Sequence, residues 1–232
     1  MPHSQSEHQD QSIRPSLAVI LLVVAVAGFV LVAWASTSDW GRSLDRVLLS
    51  SLLDIGEETF PRGPEWLREA GRDLTALGSI SVMILVTLAV LGWLALTARW
   101  RTLVAAAASI SLGTLASFGL KSLFSQERPD LVTQVTQTFT SSFPSSHAMG
   151  ALITYVTLAL ALSAGMHRTI SRLYLLILAV LASFIAGASR VYLAVHWPSD
   201  VLAGWLAGAA WIALVLLLTR RWLAEEMKLT RS

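Results

Sequence analysis

Residues 17–35 read LAVILLVVAVAGFVLVAWA, a run of nineteen residues without a charged side chain. At about 1.5 Å per residue, a helix of this length matches the ~30 Å hydrocarbon thickness of a bilayer. Because lipid offers backbone amides no hydrogen-bond partner, such a run crosses a membrane only as a helix. The same reasoning applies to five later stretches, and the predicted spans are residues 16–36, 78–97, 102–120, 147–165, 173–189 and 200–219. The sequence therefore predicts an all-α fold, a six-helix transmembrane bundle.

The first span has a second interpretation as a secretory signal peptide. Arg14 precedes the apolar run, and Ala33-Trp34-Ala35 at its end resembles a small-residue cleavage site. The apolar region of a signal peptide usually has only about 7–15 residues. Because the run here is longer, we favour a membrane span.

The composition of the whole chain excludes several classes of protein. Of its 232 residues, 54% are hydrophobic and only 14% are charged, whereas soluble domains carry about 25% charged residues. The formal net charge of +2 is too small and too scattered for a nucleic-acid-binding protein. Cysteine is absent, which excludes disulfides, thiolate nucleophiles and cysteine-ligated metals. Among the classes considered, the composition is therefore that of a membrane protein, and we expect no nucleic-acid partner.

Basic residues near the ends of the spans predict the orientation of the bundle. Six spans put both termini on one side, together with the short loops around residues 99–101 and 168–172. Nine Lys and Arg residues fall on that side, while most basic residues of the other face lie in a long acidic loop, where the charge rule is weaker. We therefore expect an integral protein of a plasma or inner membrane, with these segments: a cytoplasmic tail (1–15), a six-span domain (16–219) with an extracytoplasmic loop (about 37–77), and a second cytoplasmic tail (220–232).

The long loop is expected to hold two short interfacial helices. Apolar residues recur at helical spacing over residues 44–53, with charged residues at the other positions. Prolines and a glycine interrupt the chain at residues 61–64, and a second helix is predicted over residues 65–73. We favour a solvated cap without a specific role, and a part in substrate entry is the alternative.

Three polar segments occur at the ends of the later spans. Residues 121–129 read KSLFSQERP, residues 143–147 read FPSSH, and residues 189–200 read SRVYLAVHWPSD. The first follows span three, the second begins span four, and the third joins spans five and six. With six spans, all three lie on the face opposite the termini. We therefore expect them to form one site on the extracytoplasmic face.

The charged residues of these segments predict a phosphate site. Lys121, Arg128 and Arg190 supply three cations, and the two guanidinium groups suit phosphate oxygens. No pair of carboxylates is available to hold magnesium. Ser145 and Ser146 precede span four, where hydroxyls and unpaired amides of a helix N-terminus add donors for an anion. Binding of phosphate without a metal is the natural interpretation.

Two histidines and one carboxylate could carry phosphoryl transfer at this site. Asp200 follows His196 by four residues, so its carboxylate can hold one imidazole nitrogen while the other attacks phosphorus. His147 remains to protonate the departing alkoxide. The same three residues could instead bind zinc. We disfavour that alternative because three nearby cations would repel a divalent ion.

Taken together, the three segments resemble the signature of the type 2 phosphatidic acid phosphatase superfamily, which includes membrane lipid phosphatases and soluble vanadium haloperoxidases. The family pattern is a lysine, six residues and Arg-Pro, then Pro-Ser-Gly-His, then Ser-Arg, five residues, His, three residues and Asp. Residues 121–129 and 189–200 fit this pattern at full spacing. Residues 144–147 fit it with one departure, because Ser146 stands where the family usually has glycine.

The resemblance implies a role for each matched residue. It implies that His196 becomes the phosphohistidine, with Asp200 as its orienting partner and His147 as the general acid. The other matched residues would bind the phosphate: Lys121, Arg128, Arg190, Ser145 and Ser146. The resemblance also implies activity without a metal or another cofactor.

We therefore expect a membrane phosphatase that hydrolyses a lipid phosphomonoester or diphosphate. Polyprenyl diphosphate, phosphatidylglycerol phosphate and phosphatidic acid are all admissible substrates. A lipid-to-lipid phosphotransferase with the same site is one alternative, and an anion transporter without chemistry is another. Transporters tend to carry charged groups near mid-membrane and to contain internal repeats. We find neither feature in this sequence. The expected partners are the lipid substrate and membrane lipids, and the sequence does not indicate an oligomeric state.

Overall fold

The described part of the chain is almost entirely helical. The computed structural model describes residues 15–56, 59–129 and 141–229. Its elements are α1 (Pro15–Thr37), α2 (Asp39–Ser51), β1 (Leu53–Asp54), β2 (Phe60–Pro61), α3 (Glu65–Thr75), α4 (Ile80–Leu96), α5 (Trp100–Ser122), α6 (Ser146–Ser163), α7 (Thr169–Tyr192) and α8 (Pro198–Leu229), with a 3-10 turn (Ala76–Gly78) before α4. The all-α class is confirmed. The antiparallel pair β1–β2 was not predicted, since strands of two residues are too short to show an alternating pattern.

Five of the described helices, α1, α5, α6, α7 and α8, are long and apolar enough to cross a membrane. The remaining predicted span corresponds to α4, which has 17 residues. Together with α3 and the 3-10 turn it forms a pair bent by 51°. A length of about 17 residues lies at the short end of the spanning range. The chain is an integral membrane protein, and its six-helix bundle has α4 as the shortest member.

Several helices extend beyond the predicted spans. Helix α7 begins at Thr169 and ends at Tyr192, several residues outside the predicted 173–189. Helix α8 continues to Leu229, so the backbone of the predicted tail at 220–232 begins as helix. Hydropathy indicates which residues lie in the hydrocarbon of the bilayer. Polar and charged residues can continue the same helix beyond it, so a helix can be longer than its membrane span. The predicted tail at 1–15 lies outside the described residues except for Pro15.

Helix α6 lies at the centre of the bundle, in contact with α5, α7 and α8. Half of the residues in its spanning window are buried, against 11% for α1, which packs mainly on α8. Helix α8 approaches α6 closely at Gly204, where a Cβ atom would lie 2.6 Å from the backbone oxygen of Ser145. A side chain there would push the two backbones apart. Glycine therefore allows the first turns of α6 and α8 to touch.

The loop after α1 is folded against the bundle. In α2, Leu49 packs with Leu53 and with Ala194, which lies in the link between α7 and α8. Helix α3 packs on α7, where a Cβ atom on Gly71 would lie 2.8 Å from the ring of Tyr192. The two predicted interfacial helices are confirmed. Both pack against α7 or the link that follows it.

Candidate active site

The structure gathers the predicted site residues at one rim of the bundle, where α5 and α7 end and α6 and α8 begin. Two backbone hydrogen bonds join the segments there: Ser145 N donates to Asp200 O (2.9 Å), and Ser142 N donates to Gln126 O (2.8 Å). We call the following residues the rim cluster: Lys121, Arg128, Ser145, Ser146, His147, Arg190, His196 and Asp200. The convergence expected from the number of spans is present in the structure.

His196 and Asp200 form a buried pair. Nδ1 of His196 lies 3.1 Å from Oδ2 of Asp200, and the two residues are 1% and 0% exposed. The same Oδ2 accepts a hydrogen bond from the backbone N–H of Trp197 (2.9 Å), and the hydroxyl of Ser142 lies 3.5 Å from Oδ1. These contacts hold the carboxylate in place. The carboxylate in turn orients the imidazole and leaves Nε2 available for chemistry.

The surroundings of His196 favour a neutral imidazole. Burial lowers the pKa of His196 well below its usual value, and the positive charges of Arg128, Arg190 and Lys121 lower that pKa further. Nη1 of Arg128 lies 3.5 Å from Nε2 of His196, too far for a strong hydrogen bond, and donates to Val195 O at 3.0 Å. Burial also lowers the pKa of Arg128, an effect that Asp200 opposes. A neutral imidazole is the form that can act as a nucleophile.

Four buried polar atoms of the rim cluster have no hydrogen-bond partner among the described residues. They are Nε of Arg128, Nε of Arg190, and the hydroxyl oxygens of Ser145 and Ser146. Such atoms are rare in proteins, because each loses hydration worth about 1–3 kcal/mol. Three cations lie in the same cluster, whose only carboxylate is bonded to His196. The arrangement suits an anion with several oxygens, and Ser146, at the position where the family usually has glycine, belongs to it.

His147 belongs to the same site as His196. It is the second residue of α6, and its ring packs against Gly78 at the end of the 3-10 turn. A Cβ atom on Gly78 would lie 2.9 Å from Cδ2 of His147, so glycine leaves room for the imidazole. The side chain lies within electrostatic range of the other histidine and of all three cations of the rim cluster.

Residues that the sequence did not single out support the rim cluster. Thr75 accepts a hydrogen bond from Nη1 of Arg190 at its hydroxyl oxygen (3.3 Å). Asp45 of α2, only 5% exposed, accepts hydrogen bonds from the backbone N–H (3.0 Å) and the hydroxyl (2.5 Å) of Ser199, beside Asp200. Burial raises the pKa of Asp45, and the hydrogen bonds from Ser199 oppose that rise. No local pattern could reveal this contact, because its partners are 154 residues apart.

The described residues contain no group of three or more His, Asp and Glu side chains arranged to hold a metal ion. The zinc alternative would use His147, His196 and Asp200 as ligands. In the structure, Oδ2 of Asp200 is bonded to His196 and to the backbone of Trp197. In the arrangement described, this oxygen therefore orients His196.

In the described residues, spanning helices thus carry a buried histidine–aspartate pair and three cations at one rim. The sequence matches the PAP2 superfamily over residues 100–224, more than half of the chain. The chain belongs to that superfamily, and the matched region contains the entire rim cluster.

Two curated proteins are similar to the chain in sequence. YbjG of Escherichia coli (strain K12), whose name assigns it provisionally to the undecaprenyl-diphosphatases, is 37% identical over 133 residues, 55% of this chain and 62% of that protein. Phosphatidylglycerophosphatase B of Bacillus subtilis (strain 168) is 30% identical over 154 residues, 65% of this chain and 74% of the relative. The chain thus spans less than two thirds of the length of YbjG.

The fold is shared with a solved membrane protein structure. The crystal structure of a transmembrane PAP2-type phosphatidylglycerolphosphate phosphatase from Bacillus subtilis superimposes with a TM-score of 0.77 at 24% sequence identity. The match covers 86% of this chain and 96% of the other. At this identity the likeness supports the fold, and the chemistry rests on the residues of the rim cluster.

The contact of Asp45 with Ser199 predicts a measurable loss of stability. Asp45→Ala removes two hydrogen bonds and leaves the donors of Ser199 unpaired, so we expect it to lower the free energy of unfolding by about 1–3 kcal/mol. Thermal unfolding in detergent measures this loss as a lower Tm. The matched control is Asp54→Ala, which removes an exposed ion pair with Arg62, worth at most about 1 kcal/mol. Equal values of Tm for the two variants would contradict the assignment.

Proposed function

We propose that the chain hydrolyses a lipid phosphate or diphosphate through a phosphohistidine on His196, without a metal ion. The observation that carries this proposal is the buried His196–Asp200 pair. Its Nε2, 3.5 Å from Nη1 of Arg128, shares a site with three cations and four polar atoms that have no partner among the described residues. A phosphoryl group would satisfy those atoms and offset the cationic charge. The same arrangement would serve little purpose in a purely structural role.

The proposed reaction has two steps. In the first, Nε2 of His196 attacks phosphorus and a P–N bond forms. The P–O bond to the leaving group breaks, and that group is the lipid alcohol of a phosphomonoester or the lipid monophosphate of a diphosphate. His147 donates a proton to the departing oxygen. Nδ1 of His196 keeps its proton and donates a hydrogen bond to Asp200, whose negative charge stabilises the positive imidazole. In the second step, water attacks phosphorus, His147 takes a proton from that water, and the P–N bond breaks. Inorganic phosphate leaves, and both histidines return to their starting states.

Polyprenyl diphosphate is our first candidate substrate, and phosphatidylglycerol phosphate is the second. The names of two relatives support these candidates: YbjG, provisionally named an undecaprenyl-diphosphatase, at 37% identity, and a phosphatidylglycerophosphatase at 30% identity. Both lipids present a phosphate at the membrane surface while their tails remain in the bilayer. Phosphatidic acid is chemically admissible at the same site.

Product analysis distinguishes hydrolysis from its two alternatives. Lipid labelled with ³²P yields inorganic phosphate if water resolves the phosphohistidine, and a second labelled lipid if the protein is a phosphotransferase. An anion transporter would leave the label on the original lipid. We expect the label to appear as inorganic phosphate.

The proposed nucleophile predicts the effect of His196→Ala. Purified protein in detergent with a chelator should release phosphate from farnesyl diphosphate, and the variant should lose at least about 10³-fold in kcat because the covalent route is removed. Rapid quenching at alkaline pH should trap ³²P from labelled substrate on the wild-type chain and on the control variant, and not on His196→Ala. His167→Ala, outside the rim cluster, is the control. Equal release by His196→Ala and wild type would refute the assigned nucleophile.

The neutral state of His196 predicts the pH dependence. Its pKa is lowered well below the usual 6.5, so the imidazole stays unprotonated and nucleophilic as the pH falls through that value. Protonation below the lowered pKa removes the attacking lone pair and thus the activity. We expect the acidic limb of kcat/KM, which reports groups of the free enzyme and free substrate, to lie well below pH 6.5.

The substrate also titrates, since the second pKa of a phosphomonoester is about 6. A ³¹P NMR titration of the free substrate separates that ionisation from the enzyme. An acidic limb near pH 6.5 that the substrate does not explain would contradict the lowered pKa of His196.

We also propose that both termini lie in the cytoplasm and the rim cluster on the extracytoplasmic face. The support is the charge distribution: Arg99 and Arg168 lie in short links and Arg101 lies in the first turn of α5, at the end of the bundle away from the rim cluster.

Because the chain has no cysteine, single cysteines can test this orientation. Ser51→Cys, on the exposed end of α2, should react with a membrane-impermeant maleimide in intact cells. His167→Cys, in the exposed link between α6 and α7, should react only after the membrane is opened. The reverse pattern would mean that the bundle is inverted.

A further inference from the structure

The chain bends sharply where α3 passes into α4. Helix α3 ends at Thr75 and is followed by the 3-10 turn (Ala76–Gly78), and the helices on either side form the pair bent by 51°. The backbone N–H of Ser79 donates to Ala76 O (2.9 Å) and closes the turn. We call residues 75–78 the corner. It joins the interfacial helix α3 to the transmembrane bundle.

The corner contacts the rim cluster at two points. At one end, the hydroxyl oxygen of Thr75 accepts the hydrogen bond from Nη1 of Arg190 (3.3 Å). At the other end, Gly78 packs against the ring of His147, where a Cβ atom on the glycine would lie 2.9 Å from Cδ2. Arg190 is a proposed phosphate ligand, and His147 is the proposed general acid. One short segment of backbone therefore supports two side chains that the proposed reaction uses in different ways.

The hydroxyl of Tyr155 joins the corner to the central helix of the bundle. It donates to Leu77 O at 2.6 Å, across 78 residues of sequence. Leu77 is the middle residue of the 3-10 turn, between the contact to Arg190 and the contact to His147. A turn of three residues makes few hydrogen bonds of its own, so a bond from α6 helps to fix its place. Tyr155 and His147 both belong to α6, so this bond sets the distance between the corner and the imidazole.

We infer that the corner, held by Tyr155, positions His147 and Arg190 for the reaction. The inference rests on the proposed function, since it needs these two residues to serve as general acid and phosphate ligand. Tyr155 is then a positioning residue, because its hydroxyl proton is engaged by Leu77 O and it acts through the backbone of the corner. Catalytic geometry tolerates little displacement, and a misplacement of about 1 Å can cost about 10²-fold in rate.

The choice of leaving group separates the contact to His147 from a general loss of structure. Dioctanoyl phosphatidic acid and p-nitrophenyl phosphate carry the same phosphate on a poor and a good leaving group. An alkoxide needs the proton that His147 donates, whereas p-nitrophenolate departs with little help from an acid. We compare kcat/KM, because it covers the steps up to release of the leaving group and leaves out the later attack by water.

Removing the hydroxyl of Tyr155 should impair the reaction of the poor leaving group most. We expect Tyr155→Phe to lower kcat/KM for dioctanoyl phosphatidic acid at least about tenfold, equivalent to about 1.4 kcal/mol. For p-nitrophenyl phosphate we expect a loss of at most about threefold, because only the contact to Arg190 affects it. Assays of both purified proteins in detergent measure the two losses.

The matched control is Tyr192→Phe. It also removes a hydrogen bond from a tyrosine hydroxyl to a backbone oxygen, that of Arg62 (3.0 Å), which lies outside the corner. It should leave kcat/KM for both substrates unchanged. Gly78→Ala changes the corner from its other side, because the added Cβ atom displaces the ring of His147. It should repeat the selective loss of Tyr155→Phe and covers the case in which that variant does not fold.

The contact to Arg190 predicts the opposite selectivity. Thr75→Val removes the hydroxyl that accepts from Nη1 of Arg190 and keeps the shape of the side chain. Because both substrates carry the same phosphate, we expect it to lower kcat/KM for the two by the same factor. Thr75→Ser retains a hydroxyl and should restore most of the loss. A loss that serine does not restore would contradict the role of this hydrogen bond.

The outcomes separate the corner from the proposed function. Hydrolysis of both compounds by the wild type, with equal losses or no losses for the two substrates in Tyr155→Phe, would overturn the positioning role alone. The same selective loss in Tyr192→Phe would also overturn it, because the effect would then not be specific to the corner. A wild-type chain that hydrolyses neither compound nor any other lipid phosphate would overturn the proposed function, and the role of Tyr155 with it.

Discussion

The contact between Asp200 and His196 connects the chemistry of this protein to its helical framework. Asp200 lies in the first turn of α8, where a carboxylate is favoured by the helix dipole, and it holds the imidazole of His196 at 3.1 Å. Two features keep that helix end in place: the close approach of Gly204 to Ser145 and the hydrogen bonds of Asp45 to Ser199. The orientation of the histidine therefore depends on packing between α2, α6 and α8.

The positively charged side chains of the rim cluster outnumber its negatively charged side chains. Lys121, Arg128 and Arg190 face one carboxylate, and that carboxylate is already engaged by His196. Partly buried charges and unpartnered polar atoms reduce the stability of the empty protein. Proteins keep such arrangements where a ligand relieves them, and an anionic phosphate is the ligand that matches these groups. Burial lowers the pKa of His196 most, and the same excess of positive charge lowers it further, which favours the neutral imidazole.

The loop after α1 is more than a solvated cap, the interpretation that its composition favoured. Helix α2 supplies Asp45 to the start of α8, and α3 supplies Thr75 to Arg190. Helix α3 also lines an apolar groove together with α7. A charged surface segment of a membrane protein can thus complete its site, because an amphipathic helix presents a polar face to water and an apolar face to the bundle.

The sequence by itself determined the number of spans, the all-α class and the membership of the rim cluster. Bilayer thickness imposes a length on each apolar run, and the number of spans then assigns every polar segment to a face, so residues 121–129, 143–147 and 189–200 could be grouped without coordinates. The tertiary structure decided the contact of Asp45 with Ser199, the contact of Thr75 with Arg190, the unpartnered atoms and the groove. Each of these joins side chains far apart in the chain, and their meeting depends on how the helices pack in three dimensions. Local hydropathy and spacing contain no information about such distances.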